Sequence, residues 1–299
     1  MNRISRVNTT SKLFVSGRVV AVVAMLVTTF ASHAAGLLAS GARAQQARLP
    51  TVFIIGDSTV KNSTNGLQGW GDPIADLFDQ ARIRIENRAR GGRSSRTFLT
   101  EGLWDQILAE LKPGDFVLMQ FGHNDGGAVN DASRARGSLR GVGEETEEID
   151  NLITKKHEVV HTYGWYMRKF VSDAKAKGAT SIVLSQIPRN IWKDGKVERV
   201  GSTYGGWAAE VAKSQGAFFI DLNEIVAKQY EAIGQEKVGK EYFLTDHTHT
   251  TPLGAHLNAL AVVSGLRELK NCPLAAFLVK EIQNRELVAT GSFSIYHFS

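Results

Sequence analysis

Short apolar runs rich in β-branched and aromatic residues alternate along this chain with segments whose apolar residues recur at helical spacing. The apolar runs predict five strands, at residues 52–55, 83–86, 116–120, 181–186 and 218–221. The helical spacing predicts helices at residues 73–78, 103–111, 164–177, 207–214 and 252–269, the first with Asp72 as its N-cap. Alternation of this kind indicates an α/β fold, a three-layer α/β/α sandwich around a five-stranded parallel sheet.

A serine follows the first predicted strand, in the segment Gly-Asp-Ser-Thr that contains Ser58. Ligands bind at the carboxyl ends of parallel strands, so the position suits a nucleophile. A serine hydroxyl needs a general base, and that base needs an orienting group. Asp246 and His249, three residues apart in a loop before Pro252, are of the types that supply both. Alone, each segment is typical of an ordinary turn, and only their combination predicts acyl transfer.

Two further segments carry groups that bind a developing oxyanion. Gly91 and Gly92 follow the second predicted strand, where the lack of side chains leaves a main-chain N–H free to approach a ligand. Asn124 follows the third predicted strand, and its side-chain amide is a second kind of donor.

The four segments together resemble the signature blocks of the SGNH (GDSL-like) hydrolases, and the match is closest to the rhamnogalacturonan acetylesterases. The matching residues are Ser58, Gly92, Asn124 and His249, in that order, and the resemblance spans about residues 51–269. It implies a flavodoxin-like strand order and a nucleophilic Ser58 assisted by His249 and Asp246. It also implies an oxyanion hole made by the N–H groups of Ser58 and Gly92 and by the Asn124 side chain.

Charge is unevenly distributed along the 299 residues. Five of the 35 basic residues and none of the 30 acidic residues lie within residues 1–44, so the remainder is formally neutral. A nucleic-acid partner is therefore not expected, because such binding depends on a basic surface. Cys272 is the only cysteine, which excludes an internal disulfide and favours a buried structural thiol.

The first 44 residues have the pattern of a signal peptide: a basic start, an apolar stretch and Ala-Arg-Ala before Gln45. An uncleaved anchor is the alternative, although polar residues within the stretch weaken it. We expect export to the periplasm or the medium, and one catalytic domain over residues 45–299 with a core at about 51–269 and a C-terminal extension at 270–299. Membrane contact is expected only through an uncleaved leader, and the protein is expected to be a monomer.

Substrate contacts are harder to predict than the reaction. Arg93, His123 and Arg136 are the candidates; Arg93 could instead pair with an acidic residue of the fold. The long segment 126–163 is either a wall of the substrate site or a solvated charged excursion. Trp70, Trp192 and Tyr204 fall on predicted loops, where they could stack on sugar rings or pack against the domain.

The predicted function is that of a serine esterase which removes acetyl groups from a plant cell-wall polysaccharide, with rhamnogalacturonan implied by the resemblance and acetylxylan as the near alternative. No cofactor is expected. Binding of a metal by Asp246, His247 and His249 is disfavoured because a further ligand at a recognisable spacing is missing, His123 being the only candidate. A catalytically silent polysaccharide-binding protein is the alternative from another class.

Overall fold

The computed structural model describes residues 48–279, and nine strands occur in that range. Five of them form one parallel sheet in the order β2-β1-β3-β6-β9, and the other four form two antiparallel pairs, β4-β5 and β7-β8. The strands are β1 (Thr51–Gly56), β2 (Arg84–Asn87), β3 (Phe116–Gln120), β4 (Thr146–Asp150), β5 (His157–His161), β6 (Thr180–Leu184), β7 (Trp192–Lys193), β8 (Lys196–Val197) and β9 (Phe218–Ile220).

The helices of the same range connect these strands and cover the sheet. They are α1 (Ser95–Thr100), α2 (Leu103–Glu110), α3 (Tyr163–Ala176), α4 (Tyr204–Gln215), α5 (Leu222–Ile233), α6 (Gln235–Lys237), which continues as a π-helix (Val238–Tyr242), and α7 (Pro252–Glu268). Two 3₁₀-helices, Pro73–Leu77 and Pro273–Phe277, complete the set.

Alternate residues of the central strands pack into two separate hydrophobic clusters. Val52 and Ile54 of β1 belong to a cluster that includes α5 and α7, whereas Phe53 and Ile55 belong to one that includes α1 to α4. Because successive side chains of a strand point to opposite faces, helices cover both faces of the sheet. The predicted α/β/α sandwich with a flavodoxin-like strand order is confirmed.

The five predicted strands agree with the structure to within two residues at each end, and the five predicted helices to within three. Asp72 occupies the predicted N-cap position, but its side chain caps no N–H and instead accepts a hydrogen bond from Asn87 Nδ2 at 2.8 Å. The predicted leader, residues 1–44, and the tail from residue 280 lie outside the described residues. Within residues 48–279, no helix is both long and apolar enough to span a membrane.

Candidate active site

The turn after β1 holds Ser58 at the carboxyl edge of the sheet. Asp57 Oδ1 accepts hydrogen bonds from the backbone N–H and from the hydroxyl of Thr59, each at 2.8 Å. The Asp57 carbonyl accepts from the backbone N–H groups of Val60 and Lys61 at 3.1 and 3.0 Å. These bonds fix the backbone on both sides of Ser58, which lies beside the point where the strand order reverses between β1 and β3.

Ser58, His249 and Asp246 form a continuous chain of hydrogen bonds. Ser58 Oγ lies 2.8 Å from His249 Nε2, and His249 Nδ1 lies 2.7 Å from Asp246 Oδ2. The other carboxylate oxygen, Oδ1, accepts from the backbone N–H groups of Thr248 and His249 at 2.6 and 2.8 Å. An ionised Asp246 in this position accepts a hydrogen bond from the Nδ1–H of His249, which leaves Nε2 unprotonated and able to accept the proton of Ser58.

The pKa of Asp246 is consistent with that arrangement. Partial burial raises it, but the hydrogen bonds from the His249 ring and from the two backbone N–H groups outweigh burial and lower the pKa to about 2. The carboxylate is therefore ionised at neutral pH, as an orienting group must be.

Three donors line the same cleft as Ser58. Within residues 48–279, the backbone N–H groups of Ser58 and Gly92 donate to no acceptor. Gly92 has φ +79°, a left-handed conformation that favours glycine. The Asn124 side chain donates through Nδ2 to the Arg93 carbonyl at 2.8 Å, which holds the amide against the loop after β2. Donors arranged in this way suit an oxyanion hole.

Asp125 ties the Asn124 segment to helix α1. Its buried carboxylate accepts hydrogen bonds from the backbone N–H of Ser95 at 3.1 Å, from the Ser95 hydroxyl, and from the Ser138 hydroxyl at 3.2 Å. Burial raises the pKa of Asp125 to about 6, although these hydrogen bonds oppose the increase. No role was predicted for Asp125 from the sequence, because the burial that distinguishes it is a tertiary property.

The cleft around Ser58 has a volume of about 920 Å³ and is mostly polar. Of the described residues that line it, Asp246 is the only carboxylate, whereas several are cationic: Lys61, Arg88, Arg90, Arg134 and Arg136. Arg88 is paired with Glu86 and Glu110, but the side chains of Arg90, Arg134 and Arg136 form no ion pair with any residue of 48–279. The cleft therefore has an excess of positive charge.

The sequence model of the GDSL-like lipase/acylhydrolase family matches residues 54–257, which include Ser58, Gly92, Asn124 and His249. The chain belongs to this family. It is a carboxylic ester hydrolase, and the predicted resemblance is confirmed.

Curated relatives cover most of the chain. It is 34% identical over 217 residues to rhamnogalacturonan acetylesterase from Emericella nidulans, an alignment that covers 72% of this chain and 84% of the relative. It is 30% identical over 237 residues to probable rhamnogalacturonan acetylesterase YesY from Bacillus subtilis, covering 77% and 98%. A third relative, rhamnogalacturonan acetylesterase RhgT from Bacillus subtilis, is 28% identical over 245 residues, covering 76% and 94%.

Solved structures share the fold of this GDSL-like hydrolase. The crystal structure of YxiM from Bacillus subtilis superposes with a TM-score of 0.60 at 24% identity, covering 74% of this chain and 56% of that one. A variant of Axe2, an acetyl xylan esterase from Geobacillus stearothermophilus, superposes with a TM-score of 0.51 at 15% identity, covering 77% and 96%. At these identities the likeness concerns the fold.

Of the three predicted substrate contacts, only Arg136 lines the cleft around Ser58. Arg136 lines the cleft and donates through Nη1 to the Gly92 carbonyl at 3.0 Å. Arg93 donates through Nε to Glu101 at 2.9 Å and lines a neighbouring groove of about 470 Å³, which Arg136 also lines. His123 lines neither of these but a third pocket. Arg90, a further cation of the cleft, has no motif that distinguishes it in the sequence.

The segment 126–163 contributes Arg134 and Arg136 to the cleft and then forms the antiparallel pair β4-β5. Trp70 packs in the core, where its indole N–H donates to Gln120 at 2.9 Å, and Tyr204 is also buried. Among residues 48–279, no three His, Cys, Asp or Glu side chains are grouped so that they could hold a metal ion.

Proposed function

We propose that this protein is a carbohydrate O-acetylesterase that acts by two-step acyl transfer. Ser58 Oγ attacks the acetyl carbonyl carbon while His249 Nε2 takes the hydroxyl proton. Asp246 stabilises the imidazolium, and the N–H groups of Ser58 and Gly92 together with the Asn124 amide bind the oxyanion. As the ester bond to the sugar oxygen breaks, His249 protonates that oxygen.

The second step regenerates the enzyme. His249 takes a proton from water, the resulting hydroxide attacks the acetyl-serine, and a second oxyanion forms in the same hole. Acetate leaves as the bond to Ser58 Oγ breaks and His249 returns the proton to Ser58. The observation that carries this mechanism is the unbroken chain from Ser58 Oγ to His249 to Asp246, with bonds of 2.8 and 2.7 Å.

The polymer we propose is acetylated rhamnogalacturonan. The curated relatives that cover most of the chain include proteins with that named activity, and the charge of the cleft agrees with it. Rhamnogalacturonan carries a carboxylate on each galacturonate unit, whereas the xylose backbone of xylan is neutral. Guanidinium groups without a carboxylate partner, such as those of Arg90, Arg134 and Arg136, favour an anionic polymer.

Acetate release from acetylated rhamnogalacturonan and from acetylated xylan, measured side by side, tests the proposal. We expect faster release from the pectic polymer and none from either polymer with Ser58→Ala. Removal of two unpaired cations, Arg90→Gln with Arg134→Gln, should raise KM for the pectic polymer severalfold and leave kcat almost unchanged. Arg84→Gln, a change at the start of β2, is the matched control. Equal KM values in all variants, or a preference for xylan, would contradict the proposed substrate.

A further inference from the structure

A second pocket adjoins the segment that contains Asn124. It has a volume of about 350 Å³, and its polar side chains are His123, Gln186, Arg189, Thr203 and Tyr204. We call it the His123 pocket. The segment 122–127 borders both sites, because it contributes Asn124 to the cleft around Ser58 and His123 to this pocket. Gly126 and Gly127 also line the pocket and are exposed, so solvent reaches it from that side.

Buried polar atoms without a partner are concentrated around the His123 pocket. Within residues 48–279, no hydrogen bond is made by the two ring nitrogens of His123, by Gln186 Oε1, by Arg189 Nε or by the Tyr204 hydroxyl. The Gln186 and Tyr204 residues are only 5% and 8% exposed. Native proteins pair nearly all such buried groups with protein, water or ligand. Several unpaired polar atoms on the walls of one cavity indicate that the cavity binds a polar ligand.

The unpaired donors and the positive charge of Arg189 favour an anion as the ligand. The Arg189 side chain forms no ion pair with any described residue, and its one hydrogen bond is a long one of 3.4 Å from Nη2 to the His123 carbonyl. The Tyr204 hydroxyl is a second available donor. Burial, with help from the nearby positive charge of Arg189, lowers the pKa of His123 to about 4 although Asp57 opposes the decrease. His123 is therefore neutral near pH 7 and supplies one donor and one acceptor.

The lack of a side chain at Gly122 leaves room for the Gln186 side chain in the wall of the pocket. Gly122 has φ +137°, and a Cβ there would lie 2.0 Å from Gln186 Oε1. The cavity is about ten times the ~30 Å³ that a water molecule occupies in the liquid, so it accommodates a ligand group and not only single waters. A guanidinium group binds a planar carboxylate with two parallel hydrogen bonds. A carboxylate is a planar anionic group of the kind that the Arg189 fork binds, and the Tyr204 hydroxyl is available as a further donor.

We propose that the His123 pocket binds the carboxylate of a uronic acid, held by Arg189 and Tyr204. The proposal rests on the proposed function for the source of that carboxylate, a galacturonate unit of the same polymer that presents its acetyl ester to Ser58. A free uronate monosaccharide is the other source of the same chemistry. Asn190, which follows Arg189 of the pocket, links this segment to the loop that carries Asp246 and His249. Its backbone N–H donates to the His247 carbonyl at 2.7 Å.

Direct binding to a variant without turnover tests the pocket. Ser58→Ala is titrated by calorimetry with sodium galacturonate, with neutral galactose and with a de-esterified rhamnogalacturonan oligosaccharide. We expect galacturonate to bind more tightly than galactose by at least tenfold. Adding Arg189→Gln should weaken galacturonate binding by at least tenfold, and Tyr204→Phe by severalfold, whereas Arg84→Gln should change it less than twofold. Equal affinity for galacturonate and galactose, or a dissociation constant unaffected by Arg189→Gln, would overturn the proposal.

Melting temperatures of all variants show whether each one folds. If Arg189→Gln does not fold, galacturonate binding to Ser58→Ala with Tyr204→Phe is compared with binding to Ser58→Ala, and an unchanged dissociation constant would overturn the proposal. Competition separates the two sources of the carboxylate. Galacturonate that displaces the oligosaccharide from Ser58→Ala, but not from Ser58→Ala with Arg189→Gln, shows that the polymer occupies the pocket. Galacturonate that binds beside the oligosaccharide shows that the pocket takes the free sugar.

Failure of the inference is distinguishable from failure of the proposed function. Acetate release from the pectic polymer without any Arg189-dependent binding would reject the pocket and keep the function. Arg189-dependent binding of galacturonate without release from that polymer would reject the function and keep the pocket.

Discussion

Replacement of Asp246 by asparagine tests the proposed chain of hydrogen bonds most directly, because it removes one charge and almost no volume. Asp246 uses both carboxylate oxygens as acceptors: Oδ1 for two backbone N–H groups at 2.6 and 2.8 Å, and Oδ2 for the His249 ring at 2.7 Å. An asparagine side chain has one acceptor oxygen and one NH₂ group. The two backbone donors will hold the amide oxygen, so the NH₂ group will face Nδ1 of His249.

That orientation imposes the wrong tautomer on His249. Nδ1 must then accept a hydrogen bond, the ring proton moves to Nε2, and Nε2 cannot take the proton of Ser58. Loss of the carboxylate charge adds to this effect: two charges about 4 Å apart interact by about 4 kcal/mol near a protein surface and by about 1 kcal/mol in water. Removing the aspartate of a serine triad in this way lowers kcat by about 10⁴-fold. Because this pair is partly exposed, we expect a fall of about 10³- to 10⁴-fold with little change in KM.

Steady-state hydrolysis of 4-nitrophenyl acetate is the assay, with Asp246→Ala and Asp131→Asn beside Asp246→Asn. Asp131 is a matched control because its Oδ1 also accepts two backbone N–H groups, from Ser133 and Arg134, each at 2.7 Å, without a histidine partner. Asp131→Asn should stay within about twofold of the wild type. Asp246→Ala should lose less activity than Asp246→Asn. A water molecule opposite Nδ1 can either accept a hydrogen bond from Nδ1–H or donate one to Nδ1, so the active tautomer of His249 is not excluded. Retention of more than a tenth of wild-type kcat by Asp246→Asn would refute the reasoning.

Three further changes test the groups around the reacting atoms. Asn124→Ala should lower kcat for 4-nitrophenyl acetate by about a hundredfold or more, because it removes one oxyanion donor; a loss below tenfold would assign the amide another role. Gly92→Ala should destabilise the protein by about 1–2 kcal/mol in urea denaturation, because φ +79° is unfavourable with a Cβ, and an unchanged midpoint would contradict this. Burial raises the pKa of Asp125 to about 6, so its contribution to stability is present below the ordinary pKa of 3.8 and is lost as pH rises through 6. Between pH 4 and pH 7 the free energy of unfolding of Asp125→Asn should therefore rise relative to the wild type by up to about 3 kcal/mol, and a constant difference would argue against the shift.

Local sequence patterns predicted the central sheet because four of its five strands contain a continuous apolar run, β2 being the exception. β3 (Phe116–Gln120), buried at every position, was predicted with its observed bounds. The antiparallel pair β4-β5 lacks that signal: in Thr146–Asp150 only Ile149 is buried, and its neighbours are exposed polar residues. Helix α1 is short, and its start depends on a capping box between Ser94 and Thr97. Such elements are stabilised by contacts that no window of sequence contains.

The candidate site likewise contains residues whose position could be predicted from the sequence and residues whose position could not. Residues that follow a strand end in sequence, such as Ser58 and Asn124, could be placed at the cleft because parallel strands end at one edge of the sheet. The direction of a side chain beyond the strand could not be placed, because a loop has no periodicity. His123 precedes Asn124 directly and lines another pocket, and Arg93 follows Gly92 and pairs with Glu101. The positive charge of the cleft likewise comes from residues distant in sequence.

Three consecutive side chains after β3 lie in three different places, and this constrains how the cleft around Ser58 and the His123 pocket can bind one polymer. His123 lines its own pocket, Asn124 donates to the Arg93 carbonyl in the cleft, and Asp125 is buried against the first turn of α1. Because the Asn124 and Asp125 side chains are both held by hydrogen bonds, the segment has little freedom to move as a loop. A carboxylate bound beside His123 would therefore lie in a fixed position relative to the oxyanion donors. For a polymer that occupies both pockets, that fixed geometry would select which acetyl group reaches Ser58, so the His123 pocket would govern positional selectivity and not the chemical step.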